Sequence, residues 1–326
     1  MGFAALFTDQ FINILERKRE RDQMVVQVQM VFQILLLLMC SIYVAISGQA
    51  TNSSCQASCG GVSIPYPFGI GPACYLDHWF EVVCNDSSGS PKPFLRSLFN
   101  LEVLNISLGG TVRVNYRTLS SCTSDSSIKE NVELANSSFI FSKDNNIFVA
   151  LGCDNFASME SVDGSGSVVI GVCMSVCTEI DQVSNASMCN GINCCETTIP
   201  SHLDAFNTRI DTINIKNQPN TEGCQSAFLV DKKWFNAQYY TLFSNLSSIM
   251  SYVPVVLEWG ILNTSFNSLP TTKNASFAKI TYNCIGSSVS GRNTTFTCSC
   301  NDGFEGNPYL LEGCQGKVFA ALYLSL

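Results

Sequence analysis

Histidine is almost missing from this chain: of 326 residues only His78 and His202 are imidazoles, and they stand far apart. A histidine-based metal cluster or a histidine-driven acid–base pair therefore has no recognisable set of players. Charge is scarce as well, at 13% of residues, and 18 Lys and Arg face 26 Asp and Glu for a net charge of −8. Nucleic-acid binding needs clustered basic residues to neutralise phosphates, so that partner class is excluded, and loose adhesion to anionic membrane is disfavoured on the same ground. Gly-rich phosphate loops, kinase catalytic loops and nucleophile elbows are absent, and no internal repeat is visible. The chain is expected not to be an enzyme. A paired-carboxylate glycosidase, whose two acids can be distant in sequence, is the one catalytic reading left open.

Cysteine, by contrast, is abundant, with 17 residues in a chain that is 46% hydrophobic. Met30 to Ile46 is an almost unbroken apolar run followed by Ser47, Gly48, Gln49 and Ala50, the pattern of a secretory signal peptide. An uncleaved anchor is the alternative, because 17 residues lie at the lower limit for crossing a bilayer. The mixed charges upstream make residues 1–23 read as an extension, with Met24 or Met30 as the start. Cys40 leaves with the leader. The remaining sixteen are Cys55, Cys59, Cys74, Cys84, Cys122, Cys153, Cys173, Cys177, Cys189, Cys194, Cys195, Cys224, Cys284, Cys298, Cys300 and Cys314. An even number in an oxidising compartment predicts up to eight disulfides rather than zinc ligands. Connectivity stays open, except that adjacent Cys194 and Cys195 are expected to bond different partners. Sequons for N-glycosylation begin at Asn52, Asn85, Asn105, Asn136, Asn185, Asn245, Asn263, Asn274 and Asn293, spread over the mature chain.

Short β-branched and aromatic runs separated by polar turns predict a mainly β molecule, with strands over 101–108, 111–118, 139–141, 147–151, 168–172, 210–215 and 253–259. One helix is expected over 231–246, from the three- and four-residue spacing of its aromatic and leucine side chains. SVDGSGS, residues 161–167, has the composition of a flexible loop and a boundary. The expected fold class is a disulfide-rich extracellular β module in two cysteine-rich halves, residues 51–160 and 161–283, behind a leader of residues 1–50.

The string CGGVSIPYPFGIGPACYLDHWFEVVC, Cys59 to Cys84, is the most distinctive segment. Pro65 and Pro67 predict an extended run, in which Ile64, Tyr66, Phe68 and Ile70 share a face. That face reads more readily as core than as a sugar platform, and Trp79 and Phe80 read as packing residues. This string resembles the opening of the galacturonan-binding extracellular domain of plant wall-associated receptor kinases. The resemblance continues, in family order, through NNIFVALGCDN, GVCMSVC, NGINCCETTIP, CQSAFLVDKKWF and VPVVLEWGI. It ends in Tyr282 to Cys314, similar to the first part of an EGF-like module. That module, residues 284–315, is incomplete, with four of six cysteines and without the family's calcium-binding continuation, so no metal site is carried over. Residues 316–326 form an atypical apolar tail, too short to span a bilayer. The chain therefore reads as a form without the kinase domain.

The resemblance implies a non-catalytic module binding pectin, as polysaccharide or oligogalacturonide, directly or through bridging calcium, outside the cell or at the wall. No cofactor is implied. A form that acts as decoy or partner of full-length receptors, without glycan binding of its own, is the alternative. A polymer of carboxylates calls for cations and aromatic faces. Between Ser87 and Ser124 the charges are Lys92, Arg96, Glu102, Arg113 and Arg117, a net +3 that leaves −11 elsewhere. In TVRVNYRT, Arg113, Asn115 and Arg117 share the face opposite Val112, Val114 and Tyr116, with the two guanidinium-bearing positions about 13 Å apart along the strand. Lys92, Arg96, Arg113, Asn115 and Arg117 are the expected ligand contacts, against the plainer reading of a solvated strand face.

Overall fold

A computed structural model describes residues 55–87, 89–122, 128–134, 136–163, 166–177, 189–212, 224–244, 250–269, 281–288, 293–311 and 313–317, with residues 29, 30, 32 and 33 of the leader. Ser54 onward forms one compact unit. Its largest sheet has six antiparallel strands in the order Val82–Asn85, Lys92–Leu95, Leu101–Ser107, Thr111–Arg117, Tyr252–Trp259 and Phe139–Phe141. Alternation in Thr111–Arg117 is as the residue pattern demands: Val112 and Val114 are fully buried, while Arg113 and Asn115 are only partly so. The tight return from Ser107 to Thr111 is made by Gly109 and Gly110. Gly110 has φ +91, and a Cβ there would sit 3.0 Å from Thr297 Cγ2.

Two four-stranded sheets lie beyond it. One orders Cys194–Thr197, Asn146–Leu151, Gln225–Asp231 and Leu119–Ser121; the other orders Gly166–Ser175, Asn155–Asp163, Ala205–Thr212 and Ile128–Glu133. Asn146–Ala150 and Gln225–Asp231 are buried throughout, which is why they read as continuous apolar runs rather than alternating ones. The stretch expected as a flexible loop differs from that reading. Ser161–Asp163 and Gly166–Ser167 are antiparallel ladder residues, Asp163 opposite Gly166, continuing the pairing of Asn155–Asp163 with the strand that carries Val168, Val169, Ile170 and Val172. The expected strand at 210–215 begins earlier, at Ala205, and residues 213–215 fall outside the described set. The helix Lys232–Ser244 starts where expected, with Asp231 Oδ1 accepting from Lys233 N at 2.8 Å and Trp234 N at 3.3 Å.

All sixteen cysteines from Cys55 onward are paired: Cys55–Cys74, Cys59–Cys84, Cys122–Cys224, Cys153–Cys177, Cys173–Cys195, Cys189–Cys194, Cys284–Cys298 and Cys300–Cys314. Cys194 and Cys195 take different partners, as their adjacency requires. The bonds fall into three sequence clusters, and no disulfide links one cluster to another. Packing does that instead.

Residues of the opening string supply much of it. Pro65 to Phe68 is a turn rather than an extended run, closed by Phe68 N donating to Pro65 O at 3.0 Å. Ile64 and Phe68 are nevertheless buried, and Tyr66 and Ile70 pack against the same core. Phe68 meets Phe80 edge-on at 5.0 Å and Trp259 at 5.2 Å, and Trp259 in turn contacts Tyr309 at 5.3 Å. Asn307 Nδ2 donates to Tyr66 O at 2.7 Å. The C-terminal cysteine segment, with its strands Ile261–Leu262, Thr295–Cys300 and Tyr282–Ser287, is thereby docked on the opening string.

Tyr309 is fully buried, with its hydroxyl accepting from Cys298 N at 3.0 Å. Burial pushes its phenol up to about 12, against the opposing pull of that backbone bond; Tyr66 is raised to about 12 by burial and then by the Asp77 charge. A phenol raised in the folded state contributes fully below its unfolded value of about 10, and that contribution is lost as pH climbs toward 12. A tyrosinate absorbance titration should show Tyr66 and Tyr309 ionising about two units late, with unfolding setting in over the same interval. Tyr309→Phe leaves a buried N–H without its acceptor and should lower stability by about 1–3 kcal/mol in denaturant melts.

Candidate functional site

Where Thr111–Arg117 runs out beside Tyr252, the sheet opens into a cleft of about 690 Å³. Arg117 and Tyr252 are directly opposed across the ladder. Asn115 and Glu102 are opposed one step along, and Asn115 Nδ2 donates to Glu102 Oε2 at 3.1 Å. The far lip is the turn Leu98–Leu101, closed by Leu101 N to Leu98 O at 3.0 Å. Phe99 and Asn100 at its centre both have positive φ, 51 and 55. Asn tolerates that conformation, whereas a bulky Phe there is uncommon. The turn holds the Phe99 ring outward, 80% exposed, and Tyr252 across the cleft is 55% exposed. Tyr116, Asn131 and Glu133 complete the wall.

Charge in and around this cleft is mostly committed to internal pairs. Lys92 Nζ lies 2.8 Å from Glu102 Oε1. Burial alone would raise the Glu102 carboxyl, but the Lys92 and Asn115 hydrogen bonds and the Lys92 charge bring it below its ordinary value. Arg96 Nη1 pairs with Glu81 Oε1 at 2.8 Å, on the side of the sheet edge formed by Val82–Asn85. Arg113 Nε approaches Asp231 Oδ2 at 2.8 Å as an ion pair without hydrogen-bond alignment. It is thus tied to the carboxylate that caps helix Lys232–Ser244. Arg117 is exposed and, among the described residues, has no carboxylate partner.

Of the five expected contacts, the cleft therefore gathers Asn115 and Arg117. Lys92 acts on it through Glu102, while Arg96 and Arg113 are held in pairs elsewhere. Phe99 and Tyr252 are the residues that sequence reasoning missed. Tyr252 precedes an apolar strand and looks like its first member; Phe99 carries no signal except its neighbour Asn100, a residue common at left-handed turns. Trp79 is half-buried against the core with Phe80 fully buried, and His78 stacks on Trp79 at 4.4 Å. Among the described sequons, Asn85, Asn105, Asn136, Asn263 and Asn293 are all exposed; Asn52, Asn185, Asn245 and Asn274 lie outside the described residues. No helix among the described residues is long and apolar enough to cross a membrane, and the apolar run 30–46 lies almost wholly outside them.

Residues 55–116 match the family described as wall-associated receptor kinase galacturonan-binding, and residues 186–268 the family described as wall-associated kinase. Phe99 to Tyr116 of the cleft fall within the first matched region and Tyr252 within the second, while Arg117, Asn131 and Glu133 lie between the two. Relatives in Arabidopsis thaliana include wall-associated receptor kinase-like 6, 35% identical over 298 residues, which covers 81% of this chain and 44% of the relative. Wall-associated receptor kinase-like 3 is 33% identical, covering 81% and 39%, and wall-associated receptor kinase 2 is 31% identical, covering 81% and 34%. The chain spans less than half the length of these relatives. No solved structure matches it.

The two arginines of one strand should behave differently. Asp231→Ala removes both a helix cap and the Arg113 partner and should cost about 1–3 kcal/mol in unfolding experiments, whereas Arg117→Ala should stay within about 0.5 kcal/mol of the parent. Because the Glu102 carboxyl is lowered, its contribution is present above the ordinary carboxylate value and fades as pH falls through its folded value. Lys92→Met should abolish that acid-side component in a stability-against-pH series.

Proposed function

For a chain that carries both of these extracellular regions of the wall-associated receptor kinases, we propose that the cleft at Arg117 binds galacturonan, the acidic backbone of pectin. The reading rests on one observation: an exposed guanidinium without a carboxylate partner among the described residues stands directly across the ladder from an exposed tyrosine. A uronate ring presents a carboxylate and an apolar CH face, and these are the two groups such a pair accommodates. Phe99 offers a second face, and Asn100, Asn115 and Asn131 offer amides for ring hydroxyls. The chain's function is then recognition without catalysis, at the cell wall, either as a secreted protein or held to the membrane by its leader. Glu133 at the rim gives calcium a place to bridge protein and polymer carboxylates.

Titration calorimetry of the full chain with oligogalacturonate tests this. Arg117→Glu should weaken binding roughly 10- to 100-fold, the loss of one charge-assisted contact of about 1.5–3 kcal/mol. Tyr252→Ala should weaken it by about 0.5–1.5 kcal/mol. Binding should fall with added salt, and loss on adding a chelator would identify the calcium-bridged mode. Undiminished affinity in Arg117→Glu would overturn the site.

A second reading, protein contact, draws on the edge strand Gly166–Ser175, where Val168, Val169, Val172 and Met174 are each at least half exposed. Val172→Lys should abolish any association with a full-length receptor if that reading holds, and should leave glycan binding intact.

A further inference from the structure

A second cleft, of about 330 Å³, lies at the opposite end of the same strand pair, where Thr111, Glu258 and Trp259 meet the Gly109–Gly110 turn. We propose that this cleft seats a neutral sugar ring, and that its occupant is the first N-acetylglucosamine of the chain's own N-glycan, borne on Asn136 or Asn293.

The lining selects the class of ligand. It is rich in hydroxyl groups, those of Ser137, Ser138, Thr295 and Thr297 among them, and its titratable side chains are the carboxylates of Asp204 and Glu258 and the imidazole of His202. No Lys or Arg lines it to pair with a uronate, whereas the other cleft has Arg117. Its size, at the lower end of the range of about 300–1,000 Å³ for small-molecule sites, suits a single ring rather than a polymer. Trp259 and Phe139, both nearly fully buried, give it an apolar floor, while Trp259 Nε1 and Ser138 Oγ are buried in its walls without partners among the described residues.

The rim selects the source. Asn136 and Asn293 are both exposed and both border this cleft, whereas Asn85, Asn105 and Asn263 do not. A ring tethered to either arrives at an effective concentration of about millimolar without any separate binding event. The link forms in the secretory pathway, where the asparagine amide nitrogen attacks C1 of an oligosaccharide on a lipid pyrophosphate; the N–C1 bond forms, the C1–O bond breaks, and the amide proton leaves with the pyrophosphate. The placement also has a structural consequence. Asn136 belongs to the main body and Asn293 to the C-terminal cysteine segment, between which no disulfide runs. A ring seated there fills the seam on both sides.

The test uses the full chain secreted from a eukaryotic host. Glycopeptide mass spectrometry should find Asn136 or Asn293 occupied. An endoglycosidase acting on the folded protein should release that glycan roughly tenfold more slowly than those on Asn85, Asn105 and Asn263, with the difference gone after unfolding. Vacancy at both positions, or release at the common rate, would overturn the proposal. Free N,N′-diacetylchitobiose separates the sources: it should perturb tryptophan fluorescence in the Asn136→Gln/Asn293→Gln double variant and not in the glycosylated parent. Equal response of both proteins would assign the cleft to a free sugar, and response of neither would remove the sugar seat altogether.

Discussion

One buried amide fixes the geometry on which both clefts depend. Asn146, 1% exposed, donates from Nδ2 to Ser142 O at 2.8 Å and to Val256 O at 2.7 Å, while its Oδ1 accepts from Val256 N at 2.9 Å. Each of its polar atoms is satisfied, so burial costs little and the orientation is singular. The bonds join the four-stranded sheet containing Asn146 to the middle of Tyr252–Trp259 in the six-stranded sheet. With that strand pinned at Val256, its register against Thr111–Arg117 is set, and a one-residue slip would reverse every side chain. One end of the pair then presents Arg117 and Tyr252, the other Thr111 and Trp259, about 20 Å apart by strand rise.

Electrostatics divide the labour between the two ends. In an acidic chain three of the cations on and beside the Arg117 strand are bound by internal carboxylates: Lys92 by Glu102, Arg96 by Glu81, Arg113 by Asp231. These pairs are partly exposed and contribute modestly to stability, but they quench a patch that would otherwise attract anions indiscriminately. What is left in the cleft is the Arg117 guanidinium among aromatic and amide groups, with Glu102 held by Lys92 and Glu133 at the rim. The opposite cleft has no Lys or Arg and is lined by hydroxyls with the carboxylates of Asp204 and Glu258 and the imidazole of His202, so the two ends differ in chemistry.

Local pattern made much of the fold legible. Alternating Val112 and Val114 marked one half-buried strand, the apolar run 147–151 marked one of the fully buried ones while Gln225–Asp231 went unmarked, and three- and four-residue aromatic spacing marked the helix. Even the basic strand was found as a strand. Its partners were not, because Asp231 lies 118 positions from Arg113 and only the folded sheets bring them together. The expectation that Arg113 and Arg117 act as a pair followed from strand spacing alone, which says which way a side chain points and nothing about what is waiting there. Tyr252 and Phe99 stayed hidden for the converse reason: one borders an apolar strand and the other occupies a left-handed turn that its residue type does not advertise. The turn at Pro65 to Phe68 and the pairing of Ser161–Asp163 with Gly166–Val168 show the same limit, where composition suggested one conformation and the folded chain holds another.

Backbone hydrogen exchange of the full chain with and without saturating oligogalacturonate tests the central claim most directly, since it reports where the ligand lies without altering a residue. Added protection concentrated at residues 99–102, 115–117 and 250–253, with the Gly109–Gly110 end unchanged, is the predicted result. Protection confined to other surfaces, or none at these three segments under conditions where binding is measured independently, would contradict the placement of the glycan site between Arg117 and Tyr252.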